Sequence, residues 1–98
     1  MDLLQRLKNN LRITWDDDDV YLQQLLQDGQ EYFVGLTNRQ FDWQTEHVVT
    51  GLLLDYCRYV YNHAADDFEV NYAKPLRRLI WMSAVGRIGK EVTHETLP

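Results

Sequence analysis

Leu52-Leu53-Leu54-Asp55-Tyr56-Cys57-Arg58-Tyr59-Val60-Tyr61-Asn62 is the most apolar and aromatic stretch of the chain. At helical spacing Val48, Leu52, Tyr56, Tyr59 and Val60 form one stripe, and Val49, Leu53 and Cys57 widen it, so the spacing predicts a helix buried on more than one side. Asp55 and Arg58, three apart, can pair on the remaining polar strip, worth about 0.2–0.5 kcal/mol at an exposed site. The rest of so short a chain must pack around this helix, which is expected from about Trp43 to Asn62, with Asp42 as its cap.

Upstream, Leu3, Leu4, Leu7 and Leu11 recur at spacings of three and four and predict a short amphipathic helix over residues 2–11. Ile13 and Trp15 alternate with Arg12 and Thr14 as a brief extended link. Asp16, Asp17, Asp18 and Asp19 follow. A calcium loop needs spread ligands, a Gly and a closing Glu, which this run lacks, so it reads as a helix start, with Thr14 or Asp16 as cap and carboxylates at the positive end of the helix dipole. Val20, Leu22, Leu25, Leu26, Gly29, Tyr32, Phe33 and Leu36 then mark a long helix. Gly29 costs about 1 kcal/mol there and predicts a close helix crossing, while Gly35 and Asn38 are stop signals. Phe41 and Trp43, in the connection that follows, are expected to clip onto the bundle.

Downstream, Asp66 and Asp67 open a helix through Phe68, Val70, Tyr72, Leu76, Leu79 and Ile80, which Pro75 must kink or divide near Ala73 and Lys74. Arg77 and Arg78 fall on its outer side. The apolar stretch from Ile80, broken by Gly86 and Gly89, has two open readings: Trp81, Met82, Val85 and Ile88 complete the core, or they form a partner-binding segment of the aromatic, Met and Arg types enriched at interfaces. Thr93 to Pro98 look frayed. The fold class is therefore all-α, a small bundle of four to five helices, with a helical domain over residues 1–80 and a helical or flexible tail over 81–98.

Ninety-eight residues, 45% hydrophobic and 12% aromatic, make one folding domain. Cys57, the single cysteine, has no disulfide partner and lies in the apolar stripe, which fits a packed thiol in a reducing cytoplasm. No run approaches a membrane span, and the first residues lack the uncharged core of a secretory signal. Net charge is −5, with an acidic middle and basic ends. Such a body does not grip duplex DNA by counterion release, but it allows subunits to meet head to tail. His47 and His63 lie too far apart to share a metal. No facing carboxylate pair, Ser-His or Cys-His pair or Gly-rich phosphate loop is recognisable, so neither enzyme activity nor a cofactor or metal is expected.

The order Leu11-Arg12-Ile13-Thr14-Trp15-Asp16-Asp17-Asp18-Asp19, then Leu52 to Asn62 and an acidic-aromatic helix, resembles the phage gp6-like head-tail connector family over roughly residues 3–80. The resemblance implies an all-helical structural subunit of the virion, assembled in the bacterial host cytoplasm. It would form a homo-oligomeric ring beneath the portal protein, extending the DNA channel and completing the head for a tail-side connector or stopper protein. DNA would pass without sequence-specific binding, and no membrane is involved. The resemblance also implies a portal contact in the C-terminal segment, here Arg77, Arg78, Trp81, Met82, Arg87, Ile88 and Lys90; Pro75 and the Gly-containing tail depart from the family's usual run. A channel that must not grip phosphates would be lined by part of the set Asp16, Asp17, Asp18, Asp19, Asp66, Asp67 and Glu69. An acidic helical regulator or inhibitor that binds a host protein is the alternative from another class.

Overall fold

The computed structural model describes residues 2–92. Five helices succeed one another: α1 (Leu3–Leu11), α2 (Asp19–Thr37), α3 (His47–Tyr61), α4 (Ala65–Asn71) and α5 (Ala73–Ala84). Two short strands, β1 (Arg39–Gln40) and β2 (Lys90–Glu91), pair antiparallel with Arg39 opposite Glu91 and Gln40 opposite Lys90. The protein is a small all-α bundle in which α2 and α3 form the central pair, α1 lies against both, α4 packs on α3 and α5 on α2.

Local chemistry sets the boundaries. The Asp2 carboxylate caps α1 by accepting from the Gln5 N–H at 2.8 Å. Arg12, in the left-handed conformation, and Ile13 then donate to the Asn9 and Lys8 carbonyls and close it. Asn38, left-handed at φ 55°, ends α2, so Gly35 is an interior residue rather than a stop.

The start of α3 differs from the sequence reading. The Asp42 carboxylate accepts from the Gln44 N–H at 3.0 Å, and its carbonyl accepts from the Thr45 and Glu46 N–H groups, tying residues 42–46 into a turn. Asp42 therefore caps that turn and α3 begins at His47. The expected division near Pro75 falls at Tyr72: α4 ends at Asn71, and Pro75 is the third residue of α5, where a missing N–H costs no helical hydrogen bond.

The core is built on Leu22, Phe33, Val49, Leu53, Cys57 and Phe68, with Tyr32, Tyr56 and Tyr59 packed at its edge. Gly29 is the crossing point: a Cβ there would lie 2.6 Å from Leu53 Cδ1 and 3.2 Å from Tyr56 Cδ2. Phe41 and Trp43 do clip on, edge to face at 5.4 Å. Two assignments of facing are corrected. Val49, Leu53 and Cys57 are the deep face of α3 while Val48 is 58% exposed, and Val20 at the start of α2 is 86% exposed. In helices this apolar, several phases satisfy the pattern, and only the crossing at Gly29 selects one.

Candidate partner-binding surface

α5 is amphipathic, with Leu76, Leu79 and Ser83 buried against the bundle. Its opposite face carries Lys74, Arg77, Arg78, Trp81 and Val85 in solvent. The chain turns after Ala84 through Gly86 and Gly89, both at positive φ, and brings Arg87 back over the Trp81 ring, 5.3 Å from its centroid. Of the residues that the sequence singled out here, Arg77, Arg78, Trp81, Arg87 and Lys90 are exposed and Met82 is half-buried. Ile88 is 8% exposed and belongs to the core. Met82 lines an open groove of about 290 Å³ between α3 and α5 with Val48, Leu52, Asp55, Arg78 and Leu79.

The turn that presents Arg87 and Lys90 is fastened by contacts absent from the sequence reading. The Glu46 carboxylate accepts from the Gly89 N–H at 2.7 Å and from the Asp42 N–H at 2.8 Å. Arg39 Nη2 donates to the Gly89 carbonyl at 2.9 Å. A Cβ at Gly89 would meet Phe41 Cε1 at 2.9 Å and the Gln40 carbonyl at 3.0 Å, so the backbone there sits directly on β1.

The acidic residues form two groups on different elements. Asp16 and Asp19 converge on Lys8 of α1, whose Nζ lies 2.6 and 2.8 Å from them. Hydrogen bonds to Asp16, then Asp19, hold the Lys8 ammonium above its ordinary pKa. Lys8, buried on α1, could have been foreseen only from a cation at helical spacing beside Leu4 and Leu11, just ahead of a carboxylate run. Neither Thr14 nor Asp16 caps α2: Asp18 is the N-cap, without a side-chain cap bond, and its carboxylate accepts from Trp15 Nε1 at 2.9 Å. Beside these acids Trp15, Val20 and Tyr21 are exposed, and Tyr21 meets Tyr61 at 6.3 Å. The second group, Asp66, Asp67 and Glu69, lies on exposed positions of α4, with Glu69 accepting from Tyr32 Oη at 2.7 Å.

Burial pushes the Cys57 thiol up to about 12, which leaves a packed group rather than a nucleophile. Among the described residues no group of three or more His, Cys, Asp or Glu is arranged to hold a metal ion, and no helix is long and apolar enough to cross a membrane.

A small helical bundle whose exposed features are aromatic and charged faces has the build of a protein that works by contact. The family model for phage gp6-like head-tail connector proteins matches residues 1–76, and the chain belongs to that family, a structural one. No curated protein and no solved structure matches it. The match ends inside α5, so Arg77 to Lys90 lie beyond it.

Proposed function

We propose that the chain is a connector subunit that assembles as a ring beneath the portal protein in the host cytoplasm, extends the DNA channel and completes the head for a tail-side connector or stopper protein. The observation that carries this reading is the family match over residues 1–76. Two features support it. The exposed face of α5 and the fastened turn after it supply a rigid partner-facing surface. Asp66 and Asp67, in solvent on α4, are the part of the acidic set suited to a channel wall that repels phosphates. Asp16 and Asp19 are engaged by Lys8. The activity is mechanical and calls for no cofactor or catalytic residue.

Native mass determination with negative-stain imaging, on the chain alone and mixed with its phage's portal ring, tests the reading. A ring, free or seated on the portal, is the expected result. A chain that stays monomeric or dimeric and ignores the portal at high concentration contradicts it and returns attention to a host-protein target of the acidic face.

A further inference from the structure

Two exposed apolar surfaces of opposite charge lie at opposite ends of α2. One is Trp15, Val20 and Tyr21, 48%, 86% and 46% exposed, with Asp17 and Asp18 alongside. The other is Trp81 and Val85, 54% and 51% exposed, with Arg77 one turn before Trp81 on α5 and Arg87 5.3 Å from the Trp81 ring centroid. α2, nineteen residues and about 27 Å long at the α-helical rise, runs from one end to the other. The first surface surrounds the N-terminus of α2. The second belongs to the end of α5, where Ser83 and Ala84 share a groove with Thr37, Asn38 and Arg39 at the C-terminus of α2. One chain therefore cannot join them to each other.

We propose that the second copy of this chain is the occupant of the α5 face: the Trp15–Val20–Tyr21 corner of one subunit packs on Trp81 and Val85 of the next, with Asp17 and Asp18 opposite Arg77 and Arg87. Charge complementarity selects this partner. The face that needs carboxylates around an apolar centre finds them on the same molecule, beyond the reach of its own chain. Because the two surfaces differ, the contact is head to tail, and repetition closes a ring if the rotation per subunit allows it. This inference rests on the connector reading and assigns the α5 face to the neighbouring subunit rather than to the portal.

The test is a charge swap. Arg77→Glu/Arg87→Glu and Asp17→Lys/Asp18→Lys variants, each checked for folding by circular dichroism, are compared with wild type by sedimentation and native mass at up to about 1 mM and low salt. Wild type forms head-to-tail oligomers and each variant alone loses at least about tenfold in self-association. An equimolar mixture recovers assembly, because wild-type and reversed junctions then alternate. The mixture separates a lost contact from a misfolded variant. A wild type that stays monomeric, a variant that self-associates undiminished, or folded variants whose mixture gains nothing overturns the proposal. The portal separates this failure from failure of the connector reading. If variants join it in wild-type copy number, only the surface assignment falls; if wild type leaves it bare, the connector reading falls.

Discussion

The Glu46 carboxylate accepts the Gly89 N–H at 2.7 Å, linking residues 43 apart in the chain. Through its other oxygen it accepts the Asp42 N–H at 2.8 Å, so one side chain fastens both the turn before α3 and the turn after α5. Charge-assisted bonds to backbone N–H groups are the stronger kind.

Glu46→Ala is expected to cost about 1–3 kcal/mol, read as a lower midpoint in urea. Amide exchange of Gly89 and Lys90 should accelerate more than that of α2 or α3. Glu46→Gln keeps one acceptor oxygen and should fall between. Equal acceleration throughout the chain would mean that Glu46 supports the whole bundle rather than the turn.

Gly29 and Gly35 lie on one helix and should respond with opposite sign to alanine. A Cβ at Gly29 meets Leu53 Cδ1 at 2.6 Å, while nothing lies within 4 Å of one at Gly35. Leu53 is fully buried and has little room to yield, so Gly29→Ala should destabilise by about 1–3 kcal/mol. Gly35→Ala should stabilise by up to about 1 kcal/mol through helix propensity. Thermal melts of the two variants check the pair.

Cys57 predicts an alkaline limb of instability. Its thiol titrates at about 12 when folded against an ordinary value of 9.0. The unfolded chain therefore releases this proton first, and the stabilisation is complete below pH 9 and is lost as pH rises towards 12. Cys57→Ala should remove the part of that decline that begins near pH 9, leaving the part due to Tyr32, Tyr56 and Tyr72, whose hydroxyls burial also pushes up. Reaction of the wild-type thiol with a disulfide reagent at pH 8 should follow unfolding, and prompt reaction in the native protein would contradict its burial.

Lys8→Met keeps the aliphatic stem and removes the cation between Asp16 and Asp19. It should lower the melting temperature and free the 12–18 link, seen as faster exchange at Ile13 and Asp19. Unchanged exchange there would show that the buried stem, and not the ion pairs, holds the link.

Much of the bundle was legible because short-range signals agreed with the tertiary answer. The Leu3–Leu11 periodicity and a helix break just ahead of Pro75, which falls at Tyr72, reflect local constraints, and Gly29 marked a crossing because a glycine inside an apolar helix face leaves room for a neighbouring helix. Facing was less legible: the central helix has apolar residues on most sides, so Val48 looked as fit for the core as Val49. Glu46, Lys8 and the β1–β2 pair escaped for a different reason. Each depends on a partner brought near by the finished fold, and a two-residue strand carries too little pattern to announce itself. On the candidate surface, Arg77 and Arg78 were placed on the outer side of α5 by the same periodicity that buries Leu76 and Leu79, whereas Trp81, which fitted core and surface equally in the sequence, is 54% exposed. Ile88 depends on the turn at Gly86 and Gly89, whose direction helical spacing cannot give.

The most direct measurement is the mass of the phage's portal ring before and after saturation with this chain. A connector predicts an increment equal to a fixed whole number of chains, seen by imaging as a new ring coaxial with the portal. An unchanged portal mass at saturating chain would contradict the central claim.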